Sequence, residues 1–153
     1  MKGIIELLHA VKLCADKNMN VKFIVVGDNV RKKKSVKSVI LNKLGFTDDV
    51  IGYCRDYISD HRLESIIEFS GFTLDIEGVY QDTDVLCFPS HLNAVGRPVI
   101  EAASVKVPSI VAMTTSALDT IIHCQTGLCI KEKDSADLFK AIEYFYRQLS
   151  EIK

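Results

Sequence analysis

Short apolar runs alternate along this chain with longer segments of helical periodicity, and this alternation is the feature that most constrains its fold. Residues 21–26 and 85–88 are apolar almost without interruption. Because the side chains of a strand point alternately to the two faces of a sheet, such runs predict strands that are covered on both faces, as in parallel sheets. We therefore expect an α/β fold built from βαβ units.

The same patterning predicts the other elements. The expected strands are residues 21–26, 65–70, 85–88, 109–112 and 127–130, and the expected helices are residues 3–18, 36–44, 50–58, 76–80, 97–105 and 138–149. In a Rossmann-like, doubly wound parallel sheet, ligands bind in a crevice at the carboxyl ends of the strands. Functional residues are therefore sought in the segments that directly follow strands.

Composition narrows the classes of protein to consider. The 153 residues suit one domain, 1–153, and apolar and charged shares of 48% and 25% are typical of a globular chain. Lys and Arg number 19 against 20 Asp and Glu, so the charge balance gives no reason to expect nucleic acid or an anionic membrane as a partner. The basic cluster at residues 31–34 with Lys37 is interpreted as a solvated loop and helix start.

The five cysteines form no CxxC pair, and most lie in apolar runs, which suits reduced thiols and a cytoplasmic location. Cys124 and Cys129 lack a nearby second pair, so zinc is not expected there. No apolar run reaches membrane-spanning length, and Lys2 leads directly into an amphipathic helix rather than a signal peptide.

The most informative segment follows the strand that ends at Phe88. It reads Pro89-Ser90-His91-Leu92-Asn93-Ala94-Val95-Gly96-Arg97-Pro98-Val99-Ile100-Glu101-Ala102. The backbone amides of residues 94–96, just before a helix, can converge on a phosphate or a sugar hydroxyl. Glu101, about one turn inside that helix, can accept hydrogen bonds from a diol such as ribose.

This segment resembles the signature of the retaining family 4 (group 1) glycosyltransferases of GT-B fold. In that signature two Glu residues have seven residues between them, and a Gly lies among these seven, before the donor-binding helix. Glu101 matches the second Glu. Further matches in chain order are Lys2-Gly3, residues 23–27, Phe69-Ser70-Gly71, Tyr80, Asp84-Val85, Pro89-Ser90, Ala102, Pro108 and Thr126-Gly127-Leu128. The resemblance covers nearly the whole chain and implies the C-terminal, nucleotide-sugar-binding half of such an enzyme.

The resemblance also implies residue roles. Glu101 would bind the ribose hydroxyls of a UDP- or GDP-linked sugar. Lys2 would pair with the diphosphate and stabilise the charge on the departing group, without any metal or other cofactor. The amides of Ala94, Val95 and Gly96 would contact the sugar and the phosphate. No residue is assigned a catalytic role.

Three nearby residues carry alternatives. Asn93 stands where the family has its first Glu, and it either contacts the sugar through its amide or is a turn residue that caps the next segment. His91 and Arg97 are further candidates for donor binding. Their alternatives are an incidental loop histidine and a solvent-facing arginine at a helix start.

The chain also departs from the family pattern. The Gly-Gly and following Glu, expected near Ser116-Ala117 and Thr120, are absent, and Asp119 is one place out of register. The family's first strand, the centre of a 3-2-1-4-5-6 sheet, would precede Lys2. We therefore expect a truncated chain, a strand supplied by a partner, or a rearranged sheet.

The leading hypothesis is the donor domain of a retaining, hexosyltransferase-type enzyme in polysaccharide or glycoconjugate biosynthesis, inactive without its acceptor-binding N-terminal domain. Its expected partners are the donor and that domain or a partner chain, and any peripheral membrane association would come through the absent domain. The alternatives are a non-catalytic interaction module derived from this fold and a sugar-nucleotide epimerase-like domain.

Overall fold

The computed structural model describes residues 3–27, 50–115, 117 and 119–152. The helices are α1 (Ile4–Asp16), α2 (Val50–Asp60), α3 (Ile76–Gln81), α4 (Arg97–Ser104) and α5 (Ser135–Ile152), and the strands are β1 (Phe23–Val26), β2 (Ile67–Gly71), β3 (Leu86–Phe88), β4 (Ser109–Ala112) and β5 (Gly127–Ile130). The helix predicted at residues 36–44 and the basic cluster lie outside the described residues, as do Lys2 and Ser116. Each of the other predicted elements has a counterpart in the structure.

The described residues form two compact units. The small unit comprises those between Lys22 and Thr73, which contain β1, α2 and β2. The large unit comprises those up to Val21 and from Leu74 onward.

In the small unit, β1 and β2 are parallel, with Phe23 opposite Ile67. The register shifts between Val25 and Val26. The predicted parallel pairing is confirmed, but the prediction that β1 is covered on both faces is wrong, because Ile24 is 50% exposed. β1 belongs to a two-stranded sheet, which offers less cover than the wide sheet that its sequence suggested.

In the large unit, three parallel strands pair in the order β3-β4-β5. The central strand β4 is buried at all four positions. The first and last described helices, α1 and α5, pack against each other. Lys17 Nζ lies 2.9 Å from Glu143 Oε1 across this contact, and the backbone N–H of Asn20 reaches the Tyr146 hydroxyl at 3.4 Å.

The parallel strands and alternating helices confirm the predicted α/β fold, but the described strands form two sheets rather than one. Among the described residues, β1 pairs only with β2, and β3 pairs only with β4.

Candidate functional site

The loop after β3 is held in place at its end by close packing. A Cβ atom on Gly96 would lie 2.4 Å from the Cζ atom of the Phe88 ring, so only glycine fits without a shift of that ring. Val95 packs against a buried cluster that includes Val99 and Val111. These contacts fix the backbone of the loop as it enters α4.

Asn93 ties this loop to the end of the neighbouring strand. Its Oδ1 accepts hydrogen bonds from the backbone N–H of Thr114, at 2.9 Å, and from the Thr114 hydroxyl, at 3.3 Å. Asn93 has a φ of 43°, a left-handed conformation that asparagine tolerates better than most residues. The Asn93 side chain thus bonds to the segment after β4 and does not cap the helix that follows it, and contact of its amide nitrogen with a sugar stays a prediction.

The start of α4 offers fewer amide donors than a typical helix. Gly96 is the N-cap residue and has no side chain with which to cap. Pro98 has no amide hydrogen, and the Val99 N–H donates to the Gly96 carbonyl at 3.0 Å. The Arg97 N–H, at the first helical position, has no partner within the helix. An anion at this point would therefore meet Arg97 and the loop amides, rather than a full turn of donors.

Glu101 lies at the surface of α4 with its side chain 31% exposed. The Tyr80 hydroxyl donates to Glu101 Oε2 at 3.1 Å, and Arg97 Nε lies 3.0 Å from Glu101 Oε1. The Arg97 side chain is 88% exposed, so this pair is worth about 0.5 kcal/mol or less, whereas a hydrogen bond to a charged group contributes roughly 1.5–3 kcal/mol. Tyr80 therefore orients Glu101, while Oε1 can exchange Arg97 for a ligand hydroxyl at little cost.

Tyr80 is buried, with 5% of its surface exposed. Burial, followed by the hydrogen bond to Glu101 and the charge of that carboxylate, raises the pKa of Tyr80 to about 12, against a smaller lowering by Arg97. The hydroxyl therefore keeps its proton and acts as a donor to Glu101 throughout the neutral range.

His91 makes a contact that the sequence did not suggest. Its Nε2 lies 3.0 Å from Oε1 of Glu6 on α1, although this contact lacks the alignment of a hydrogen bond. Nearby, a Cβ on Gly3 would lie 1.8 Å from the Pro89 carbonyl oxygen, so the start of α1 packs tightly on the loop after β3. His91 thus belongs to a junction between α1 and this loop.

The structure brings together most of the residues predicted for the site, since residues 91–97 and Glu101 lie in one loop and the helix that follows it. Lys2 and Ser116 lie outside the described residues. Asp119 lies in a separate exposed turn, where its Oδ1 accepts from the Thr120 hydroxyl at 3.4 Å. It has no described contact with Glu101 or Asn93 that would compensate for the missing Glu.

Sequence reasoning missed three contributors: Tyr80, Glu6 and Thr114. Tyr80 could have been predicted from the sequence, because it is one of the matched family positions. No sequence pattern pointed to Glu6 or Thr114, because their partners lie in distant parts of the sequence.

The part of the chain that the structure describes contains neither a metal-binding cluster nor a membrane-spanning helix. No group of three or more His, Cys, Asp or Glu residues there is arranged to hold a metal ion, and metal independence stays a prediction. None of the described helices is long and apolar enough to span a bilayer.

Comparison with known proteins identifies the family. The model of the family "Glycosyl transferases group 1" matches residues 1–150. The chain belongs to this family. The resemblance seen in the sequence is thereby confirmed at the level of group 1 and its GT-B fold.

Three relatives place this glycosyltransferase domain among known proteins. The capsular polysaccharide biosynthesis glycosyltransferase CapM of Staphylococcus aureus is 28% identical over 141 residues, which are 92% of this chain and 31% of CapM. The C-terminal domain of the group 1 protein LpcC from Francisella tularensis is 18% identical with a TM-score of 0.74, covering 97% of this chain and 71% of that chain. S. aureus TarM, in a crystal structure containing UDP, is 22% identical with a TM-score of 0.73, covering 95% of this chain and 26% of that chain.

The two structural similarities support the predicted Rossmann-like GT-B architecture. The chain spans about a third of the length of CapM.

Proposed function

We propose that this group 1 glycosyltransferase chain binds a nucleotide diphosphate sugar and acts as the donor half of a retaining enzyme of family 4. The observation that carries the proposal is the position of Glu101. Its carboxylate is oriented by Tyr80 through one oxygen, and its other oxygen contacts the exposed Arg97 at the start of α4, directly after the loop. This arrangement is suited to a ribose diol next to a diphosphate.

The proposed donor contacts combine this geometry with the family resemblance. The amides of residues 94–96 and of Arg97 would face the sugar and the phosphates, and Lys2 would neutralise the departing diphosphate. The presence of UDP in the TarM structure supports a uridine or a related nucleotide. We infer no requirement for a metal or another cofactor, and we assign no catalytic residue to this chain.

The reaction itself requires a second surface. The acceptor must be positioned and water excluded before transfer. We infer that an acceptor-binding domain or a partner chain provides this surface, and that the chain alone transfers no hexose. The similarity to CapM supports a role in polysaccharide or glycoconjugate assembly. The free cysteines, of which Cys14 and Cys54 are buried, support a cytoplasmic location.

Calorimetric titration with UDP, GDP and their sugars tests the proposal. Glu101→Ala is expected to weaken nucleotide-sugar binding at least about tenfold, which corresponds to the loss of about 1.4 kcal/mol. Glu77→Ala, which removes an exposed carboxylate from α3, is the matched control and should bind like the wild type. Equal affinity of the wild type and Glu101→Ala would contradict the ribose role.

One observation favours a second candidate, a non-catalytic interaction module. Among the described strands, β1 and β3 each pair along one edge only, and such edges can accept a strand from another chain. This module would form a stable oligomer, and its melting temperature would not respond to nucleotides. Native mass spectrometry and thermal melting with UDP and GDP therefore separate the two candidates. No described contact favours the epimerase-like alternative.

A further inference from the structure

Glu6 and His91 form a contact in the large unit that the proposed donor contacts do not use. His91 Nε2 lies 3.0 Å from Glu6 Oε1, and the two side chains are 23% and 15% exposed. If the ring nitrogen presented its lone pair to the carboxylate, two acceptors would face each other at this distance and repel. A proton is therefore held between the two side chains, on His91 Nε2 or on Glu6.

Solvent does not compete for this pair. His91 Nε2 and Glu6 Oε2 are buried, and neither forms an aligned hydrogen bond with any described residue. A buried polar atom without a partner costs free energy, and the low local dielectric strengthens the attraction between the two groups. Burial therefore keeps the two side chains together, although their geometry is not that of an ideal hydrogen bond.

The described contacts hold the loop between β3 and residues 94–96 at three points. Gly3, the N-cap residue of α1, lies so close to the Pro89 carbonyl oxygen that a Cβ atom would not fit between them. His91 contacts Glu6 in the first turn of the same helix. The third contact joins the loop to the segment after β4. Two of the three points thus depend on the start of α1.

The contact at His91 matters most for the path of the loop, because the residues that follow it are exposed. Leu92, Asn93 and Ala94 are exposed, whereas His91 is partly buried. The contact of Gly3 with Pro89 involves backbone alone, so the Glu6 side chain is the group on α1 whose removal would release this part of the loop. The amides of residues 94–96 directly follow the exposed stretch.

We propose that Glu6 is a positioning residue for the donor site, which acts through His91 to hold the loop after β3 in the path that presents the amides of residues 94–96. The inference rests on the proposed function, because it gives those amides a ligand. Glu6 does not touch the ligand itself, and its effect on binding is transmitted by the loop. Small displacements of such supporting groups misplace the groups that bind.

Three variants test this inference. Glu6→Ala removes the carboxylate and leaves His91 Nε2 buried without its neighbour. Glu6→Gln is the conservative variant, because its amide can offer the ring either a donor or an acceptor. Asp16→Ala is the matched control, since it removes the other carboxylate of α1, which pairs with Lys12 on the same helix.

Two measurements are made on each folded variant: the NMR shifts of the backbone amides of residues 94–96 without ligand, and the Kd for UDP, GDP and their sugars. Glu6→Ala should shift these amide signals and weaken nucleotide-sugar binding about fivefold or more. Glu6→Gln should recover most of this affinity, and Asp16→Ala should bind like the wild type. A merely structural role of Glu6 would lower the free energy of unfolding but leave the Kd of the folded protein unchanged.

Three results would overturn the inference alone, each with nucleotide binding by the wild type intact. They are a wild-type Kd in Glu6→Ala, equal losses in Glu6→Ala and Asp16→Ala, and a loss in Glu6→Gln as large as in Glu6→Ala. Failure of the wild type to bind any nucleotide tested would instead overturn the proposed function, and the inference with it.

Discussion

The Tyr80 hydroxyl donates a 3.1 Å hydrogen bond to Oε2 of Glu101, and so links the short helix α3 to the helix α4 that follows the candidate loop. Since the Arg97 partner of Glu101 is almost fully solvated, Tyr80 is the contact that determines where this carboxylate points. The orientation of Glu101 thus depends on a residue that is buried in a different helix.

Removal of this hydroxyl should weaken donor binding. Tyr80→Phe leaves Glu101 free to rotate, and we expect a loss of about 1 kcal/mol, roughly fivefold in the Kd for the nucleotide sugar. Calorimetric titration measures this change. Tyr146→Phe removes a hydroxyl that accepts from the backbone at the contact between α1 and α5, and should bind like the wild type. An equal loss in both variants would point to general destabilisation instead.

The raised pKa of Tyr80 should make the chain less stable in alkali. A group whose pKa rises from 10 to about 12 on folding stabilises the folded state below pH 10, and this contribution is lost as the pH rises from 10 to 12. The free energy of unfolding, measured by urea denaturation across this range, should therefore fall more steeply in the wild type than in Tyr80→Phe. Burial also raises the pKa of Cys14 and Cys87, but both thiols are present in both proteins. Parallel curves would contradict the prediction.

Gly96→Ala should destabilise the large unit, because the added methyl group collides with the Phe88 ring. Overpacking of this kind costs about 1–3 kcal/mol. The free energy of unfolding of Gly96→Ala, of Phe88→Leu and of the double variant gives the coupling between the two positions. We expect the smaller leucine side chain to relieve part of the destabilisation caused by Gly96→Ala. If the two single-variant losses in unfolding free energy simply add in the double variant, the collision with Phe88 is not the cause of the destabilisation.

The cysteines should differ strongly in reactivity towards a thiol reagent at neutral pH. Cys14 has no exposed surface, and burial, supported by the charge of Glu143, raises its pKa to about 11. Cys124 is exposed. Cys124→Ser should therefore remove a fast phase of the reaction, and Cys14→Ser should change only the amount that reacts after unfolding. A fast phase that depends on Cys14 would contradict its burial.

The sequence predicts the order of the described elements because apolar periodicity directly reflects which face is covered. Boundaries depend instead on local hydrogen bonds. α5 begins at Ser135, before its first apolar contact, because Asp134 Oδ1 accepts from the Asp137 N–H at 2.8 Å and caps the helix. β2 begins later than predicted because the Ile66 and Ile67 amides donate to the Leu63 carbonyl in a turn.

The candidate site likewise combines features that the sequence predicts with features that it does not. Glu101 and the loop before α4 are predictable, since their spacing along the chain is fixed by one helix and by a family pattern. The contact between Asn93 and Thr114 joins residues 21 positions apart through two further elements, and no periodicity encodes it. The sequence therefore predicts which functional groups lie in the candidate site. Only the structure shows which hydrogen-bonding atoms of those groups already have a partner.

The packing of α1 on α5 has a consequence for synthesis on the ribosome. Lys17 and its partner Glu143 are separated by 126 positions, so the apolar stripe of α1 leaves the exit tunnel long before the helix that covers it exists. The large unit can complete its core only late in translation, and until then the nascent α1 is an exposed hydrophobic segment of the kind that chaperones bind.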